Sequence, residues 1–213
     1  MIMKIRSGIL KVTNLSIIGD LNFPPNLKLC VQNVKIVRPS DNFQGNFLKK
    51  QMRTASLVVD LQKALTADSF PLESLEIDST LALVSSAEAK TVITTRSPQG
   101  IQTSDIHRIY IKYCTIDWLA VMDLIRNWQN SDPEIGRHYS METESVDLVM
   151  NYISVVRQSP GAQINKRLAS GISPYGFTFP INQEKVLNVF LDRFKKENGM
   201  EEYVIHFKID PVS

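Results

Sequence analysis

The sequence predicts an α+β fold, with a curved antiparallel β-sheet in the N-terminal half, helices packed on its apolar face and a C-terminal strand that returns to a sheet. Three observations carry this prediction. Apolar and polar residues alternate with period two over residues 5–96, helical spacing begins at residue 117, and the alternation returns at residues 203–210. The 213 residues suit a single domain, mainly β over 1–116 and mainly helical with a terminal strand over 117–213.

The first strands are defined by which positions are apolar. Leu29 and Val31 share one parity while Val34 and Ile36 take the other, which predicts a bulge or a bend near Asn33. Residues 55–61 and 75–83 then alternate regularly, as expected for a sheet packed on one face and solvated on the other. A further strand is expected at residues 106–116.

Three helices are predicted after these strands. The first covers residues 117–128, with Asp117 at the N-cap position, and the second runs from about Glu142 to Gln158 and stops at Pro160-Gly161. The third begins near Asn182 and ends at residues 198–199. The last strand, residues 203–210, is expected to direct Tyr203, Ile205, Phe207 and Ile209 inward and His206, Lys208 and Asp210 outward.

Composition excludes several classes of protein. Hydrophobic residues at 43% and charged residues at 22% argue against disorder, and a net charge of +2 without a basic stripe argues against nucleic-acid binding. No apolar window of about 18 residues predicts a membrane span. The chain is therefore expected to be cytoplasmic, or to be a soluble piece of a cell-envelope or periplasmic protein whose anchor or signal is omitted. Cys30 and Cys114 sit in apolar contexts that favour unpaired buried thiols, although a disulfide between them stays open.

Catalytic motifs are not found in the sequence, so the chain is predicted not to be an enzyme and to have no cofactor or metal. It has no glycine-rich phosphate loop and no G-x-S-x-G elbow, and His107, His138 and His206 are read as isolated. Glu76 and Asp78 share a strand face, where solvated carboxylates are the simpler interpretation. The loop at residues 170–180 carries Tyr175, Phe177 and Phe179, which are expected to tuck into the core, or else to cover a pocket or dock on a partner.

Four stretches carry a family resemblance, namely GILKVTNLSI, LKLCVQNVKIV, TASLVVDLQKAL and FPLESLEIDSTLALV. With Asn14-Leu15, the run Ala55–Leu61 and the run Leu75–Asp78 in the family's positions, residues 8–84 resemble the AsmA-like family of bacterial envelope proteins. That family usually has an N-terminal transmembrane helix, which has no counterpart in this sequence.

The resemblance implies a non-enzymatic lipid-binding or membrane-assembly module, in which an apolar sheet face holds acyl chains. The implied partners are a phospholipid or membrane surface and other envelope proteins. The expected ligand-binding residues are Leu29, Val31, Leu57, Val59, Leu75, Ile77, Leu81 and Leu83.

Two other interpretations remain open. The alternative is a structural or protein-interaction domain whose sheet is closed by its own helices and which binds no ligand. An enzyme is the third interpretation, and it would require His107, Asp78 or Glu76 to converge in a cleft.

Overall fold

The computed structural model describes residues 9–18, 27–37, 63–77, 89–95, 106–112, 118–168, 176–197 and 199–212. The chain divides into two compact units, Met1–Ile93 and Thr94–Ser213. The strands of the first unit are β1 (Leu10–Ile18), β2 (Leu29–Val37), β3 (Leu72–Ile77) and β4 (Ala89–Thr94), the last of which ends at the boundary; a short 3-10 turn lies at Ala67–Ser69. The second unit contains β5 (Arg108–Ile111), α1 (Trp118–Ser131), β6 (His138–Thr143), α2 (Val146–Gln158), β7 (Gln163–Asn165), a 3-10 turn (Lys166–Leu168), β8 (Gly176–Pro180), β9 (Lys185–Lys195) and β10 (Glu201–Pro211).

The predicted fold class is wrong. In the first unit β1 pairs with β2 and β2 pairs with β3 in parallel, not antiparallel. The described residues form ten strands and only two α-helices, so the protein is mainly β and is not a sheet covered by a helical layer. Period-two alternation reports which side chains are buried, but it carries no information about strand direction.

Strands of the second unit are arranged in the order β5-β6-β10-β9-β8-β7. β5 pairs with β6 in parallel, and the remaining neighbours are antiparallel. The predicted terminal strand is confirmed as β10, and its predicted inward residues are buried, with Ile205, Phe207 and Ile209 fully buried.

The helix predicted from Asn182 to residue 198 is wrong. That segment contains β9, which pairs along its whole length with β10. Leu187, Val189 and Leu191 are its buried apolar residues and follow a period of two. The apolar run also fits a helical stripe, and the adjacent β10 supplies the ladder that decides between the two conformations.

The other two predicted helices are confirmed as α1 and α2, with one shifted boundary. Residues up to Thr143 belong to β6, and α2 begins only after Ser145, whose hydroxyl accepts a hydrogen bond from the Leu148 amide at 3.3 Å. This serine is an N-cap, which satisfies one of the free amides of the first helical turn.

Aromatic side chains form the centre of the second unit's core. The Trp128 ring of α1 meets the Tyr139 ring of β6 edge-on, with centroids 4.7 Å apart. The Tyr152 ring of α2 lies 6.2 Å from that of Phe207 in β10. Phe177 and Phe179 are also buried, which confirms that these two aromatic residues tuck into the core; Tyr175 lies outside the described residues.

One apolar pattern recurs in four strands or at their edges. It reads Φ-x-x-Φ-x-Ile, where Φ is Val, Leu or Ile, and its copies are Val12/Leu15/Ile17, Val31/Val34/Ile36, Leu72/Leu75/Ile77 and Ile106/Ile109/Ile111. The last three copies are at most 7% exposed. The step of three residues explains the predicted change of parity near Asn33, and since β2 keeps one register with β1 through that point, the change is not a bulge.

Candidate functional site

The copies of the pattern in β1, β2 and β3 stand beside one another. Leu15 is paired with Val34 and Val34 with Leu75, while Ile17 is paired with Ile36 and Ile36 with Ile77. Since side chains at paired positions point to the same face, the apolar residues form continuous rows inside the first unit. The intervening residues must then form equally continuous rows on the other face.

The first of these outer rows is a ladder of polar side chains. The Asn33 amide nitrogen donates to the Asn14 side-chain oxygen at 3.0 Å, and the Ser74 hydroxyl donates to the Asn33 side-chain oxygen at 2.8 Å. Each group is held by the next strand, so the row links all three strands through side chains as well as through backbone.

The second outer row contains Ser16, Lys35 and Glu76, which are paired in register. The Lys35 ammonium lies 3.0 Å from a Glu76 carboxylate oxygen, and Lys35 is about half exposed. An exposed ion pair of this kind contributes only about 0.2–1 kcal/mol to stability. We call the two rows together the repeat face, which consists of Asn14, Ser16, Asn33, Lys35, Ser74 and Glu76.

The residues predicted to bind lipid lie in the core wherever the structure describes them. Leu29 is 3% exposed, and Val31, Leu75 and Ile77 are each 1% exposed. The other four, Leu57, Val59, Leu81 and Leu83, lie outside the described residues. Their assignment to a lipid groove stays a prediction.

A second polar arrangement lies in the second unit, where His138 and Ser140 of β6 meet His206 of β10. The His138 Nε2 and His206 Nδ1 atoms are 3.0 Å apart. The Ser140 Oγ atom lies 2.9 Å from His206 Nδ1 and 3.4 Å from His138 Nε2. On the far side of its ring, His206 Nε2 lies 3.2 Å from an Asp192 carboxylate oxygen. We call these four residues the histidine cluster.

Both imidazoles of the cluster favour their neutral form. Burial, together with electrostatic repulsion from Lys208, Arg108 and the protonated form of His206, lowers the pKa of His138 to about 4. Burial also lowers the pKa of His206, against the opposing effect of the Asp192 carboxylate. In the neutral form each ring carries one proton and one lone pair, so one of the two facing nitrogens can donate to the other.

A carboxyl pair lies farther along the same strands. The Tyr110 hydroxyl donates to Glu142 at 3.0 Å, and Glu142 also shares a hydrogen bond with Glu202. Burial and this hydrogen bond raise the pKa of Glu142 to about 7, while the same bond lowers the pKa of Glu202. The Lys196 ammonium, 3.0 Å from Glu202, balances the remaining charge.

The outer polar side chains of β7 to β10 are joined by a third set of bonds. Asn165 donates to the Thr178 hydroxyl at 2.9 Å, and that hydroxyl donates to the Asn188 side-chain oxygen at 2.8 Å. The Asn188 amide nitrogen in turn donates to Asp210 at 2.9 Å. This face of the second unit is thus largely bonded within itself.

Ser140, His206 and Asp192 have the residue types of a catalytic triad, but their surroundings do not suit acyl transfer. A serine nucleophile needs backbone donors for the developing oxyanion. Ser140 is 6% exposed and lies inside a strand that pairs with both β5 and β10, so the neighbouring backbone amides belong to ladders. The third interpretation, an enzyme, required His107, Asp78 or Glu76 to converge in a cleft. His107 instead lies 3.8 Å from Glu134, and Glu76 lies beside Lys35. Asp78 lies outside the described residues.

The prediction that the histidines are isolated is wrong for His138 and His206, and the histidine cluster is not predicted from the sequence. Both lie at outward positions of predicted or actual strands, but 68 residues separate them. Only the pairing of β6 with β10 brings them together. The Φ-x-x-Φ-x-Ile pattern, by contrast, is visible in the sequence and could have indicated the repeat face.

Other features of the described residues add no further site. No group of three or more His, Cys, Asp or Glu side chains in this part of the chain could hold a metal ion. No helix among these residues is long and apolar enough to cross a membrane. Cys30 is a free, half-buried thiol, and Cys114 lies outside the described residues.

Comparisons with known proteins give one match. No curated protein and no solved structure matches the chain. A family model matches residues 2–145, a span that includes every copy of the apolar pattern. This chain belongs to the family described as a domain of unknown function, DUF3557.

Proposed function

We propose that the chain is a non-enzymatic protein-binding domain whose repeat face contacts the partner. The observation that carries this proposal is the register of β1, β2 and β3, which aligns three copies of one apolar pattern in parallel strands. Repeated parallel strands with the same inward residues are the organisation of solenoid proteins, which bind other proteins through extended surfaces.

The pattern itself is typical of leucine-rich repeats, whose consensus reads L-x-x-L-x-L-x-x-N/C-x-L. The stretch from Ile106 to Ile116 fits every position of that consensus, with Ile109, Ile111 and Cys114 between them. Leu15 and Val34 are nineteen residues apart, close to the 20–29 residues of such repeats. Val34 and Leu75 are separated by about twice that length.

The chemistry of the repeat face suits a protein better than a lipid. Its rows offer amide, hydroxyl, ammonium and carboxylate groups, and the Lys35 side chain is about half exposed. These groups can form the hydrogen bonds that a protein interface requires, about one per 100–200 Å² of buried area. An acyl chain would gain nothing from them, because its binding depends on apolar contact.

Lipid binding by the apolar face would demand a rearrangement of the first unit. An acyl chain at Leu75 or Ile77 would have to replace core contacts that leave each residue only 1% exposed. Native mass spectrometry of the purified chain tests this interpretation separately. Co-purifying phospholipid that is lost in Leu75→Asp would support the lipid interpretation and contradict ours.

Two substitutions in β1 test the protein-binding proposal. Ser16→Arg places a bulky charge on the repeat face, whereas Thr13→Arg places the same charge on the opposite parity of the same strand; both residues are exposed. Each variant and the wild type are immobilised and incubated with a lysate of the cells from which the protein comes. The proteins that each one retains are then quantified. We expect a partner that is retained by the wild type and by Thr13→Arg and is lost with Ser16→Arg.

The opposite result is equally clear. If the same proteins are retained by all three chains, or if none is retained by the folded wild type, the repeat face is not the binding surface and the proposal fails. Circular dichroism of each chain establishes that the variants are folded.

A further inference from the structure

We propose that His138 and His206, with the hydroxyl of Ser140, form a binding site for a divalent transition-metal ion such as Cu²⁺ or Zn²⁺. This site does not involve the repeat face, and its existence does not depend on what the first unit binds. It rests on three potential ligand atoms that converge on one point from two neighbouring strands.

The spacing of the ligand atoms suits a metal ion. Two imidazole nitrogens bound to zinc at about 2.0–2.1 Å in a tetrahedral arrangement lie about 3.3 Å apart. His138 Nε2 and His206 Nδ1 are 3.0 Å apart, so a separation of a few tenths of an ångström accommodates the ion. The Ser140 Oγ atom, 2.9 Å from His206 Nδ1, occupies a third corner. Water completes the coordination.

The groups around the His206 ring resemble those that usually surround a metal-binding histidine. Such residues generally present their second nitrogen to a carboxylate, which fixes the tautomer and raises the basicity of the ligating nitrogen. Asp192 is placed for this role, since its carboxylate oxygen lies 3.2 Å from His206 Nε2, although the two atoms are not aligned as a hydrogen bond in this structure. The Phe190 ring stacks on the imidazole with centroids 4.8 Å apart and restricts its rotation.

The charges around the cluster act in both directions. Arg108 and Lys208 disfavour a cation beside His138, and Asp210 and Asp192 favour it. Each imidazole offers one nitrogen lone pair to the ion when its proton is on the other nitrogen, which is Nδ1 in His138 and, beside Asp192, Nε2 in His206. The balance favours a single ion held by neutral nitrogens.

The ligand types define which ions are expected. Imidazole suits copper, zinc and nickel, and affinity among these divalent ions is highest for copper. With two nitrogens and one hydroxyl, the site has fewer protein ligands than the four of a structural zinc site. We therefore expect reversible binding that the fold does not depend on.

The test is titration of the full chain, free of any affinity tag, with Cu²⁺ and with Zn²⁺ at pH 7.5, followed by calorimetry. We expect one ion per chain, with His138→Gln and His206→Gln each weakening binding by about tenfold or more. Asp192→Asn, which alters only the residue behind His206, should weaken it by about tenfold. His107→Gln removes the third histidine of the chain, which faces Glu134 outside the cluster, and should leave binding unchanged.

A second measurement distinguishes metal binding by the cluster from adventitious binding. The electron paramagnetic resonance spectrum of the Cu²⁺ complex should show coupling to two imidazole nitrogens and should lose it in His206→Gln. Absence of binding by the folded wild type, coupling to fewer than two nitrogens, or equal weakening by His107→Gln would overturn the proposal.

Discussion

The two units build their outer faces by opposite means. In the first unit, parallel neighbours carry the same pattern, so like side chains meet, as Asn14, Asn33 and Ser74 do. In the second unit, strands from distant parts of the chain are paired, and unlike side chains meet, as His138, Ser140 and His206 do. Repetition therefore gives a uniform row of polar groups, the surface we propose for a partner, whereas non-local pairing gives a compact cluster, the site we propose for a metal ion.

The largest effect is expected from the buried rows of the first unit. Leu75→Ala should lower the free energy of unfolding by about 2–5 kcal/mol, because Leu75 is 1% exposed in the buried row that it forms with Leu15 and Val34. Leu10→Ala, in the same sheet but 39% exposed, should cost less than about 1 kcal/mol. Urea denaturation measures both. Equal losses would mean that the apolar pattern does not define the core.

The change of stability with pH should arise mainly in the second unit, which contains all three histidines. The folded state lowers the pKa of His138 from 6.5 to about 4, so it binds this proton less tightly than the unfolded chain does. The contribution of neutral His138 to the free energy of unfolding is thus fully present above pH 6.5 and is lost as the pH falls towards 4. The linkage corresponds to at most about 2–3 kcal/mol between pH 7.5 and pH 4.5, and solvent screening at this partly exposed ring reduces it. Urea denaturation at both pH values should show a smaller loss in His138→Gln, and an identical loss would contradict this account.

An intermediate loss of stability is expected from a change at Ser69, whose side chain takes the place of a neighbouring strand in bonding to the backbone of β2. Its buried hydroxyl accepts a hydrogen bond from the Val31 amide at 3.0 Å and donates to the Leu29 carbonyl at 3.2 Å. Ser69→Ala leaves both backbone groups without that partner and should cost about 1–3 kcal/mol. Thermal denaturation compares it with Ser16→Ala, an exposed serine of β1 that should cost little. Similar losses of stability in the two variants would indicate that the Ser69 hydroxyl does not stabilise β2 through its bonds to Val31 and Leu29.

The smallest effect is expected in the polar ladder. Asn33→Ala removes the three hydrogen bonds of this side chain, to Thr13, Asn14 and Ser74, at a partly exposed position and should cost about 0.5–1.5 kcal/mol. Amide hydrogen exchange should increase in β1 and β3 together, because Asn33 bonds to both. An increase in only one of these strands would mean that the row does not act as a unit.

Much of the local structure follows from the sequence. The sequence predicts α1 and α2 because their apolar residues have helical spacing and stop signals follow them, but it does not identify Ser145 as the N-cap of α2 and places the start of that helix at Glu142. It predicts β10 because Tyr203 to Ile209 alternate without interruption. The residues 182–198 were misread as a helix because one apolar run satisfies both periods, and only the partner strand decides. Strand direction in the first unit was missed for a related reason: burial patterns are the same in parallel and antiparallel sheets.

The candidate sites differ in how far they could be predicted. The repeat face follows from a spacing that is present in the sequence, since Val31, Val34 and Ile36 repeat the arrangement of Leu72, Leu75 and Ile77. The histidine cluster has no such signal, because His138 and His206 become neighbours only when β10 inserts between β6 and β9. Pairing between strands that are distant in sequence is set by the whole core and is not encoded in any short stretch.

The measurement that tests the central claim most directly is the dissociation constant of the isolated partner for the wild type, Ser16→Arg and Thr13→Arg. The account predicts that Ser16→Arg weakens binding by about tenfold or more while Thr13→Arg stays within about twofold of the wild type. Equal affinities for the three folded chains would contradict the assignment of the repeat face as the binding surface.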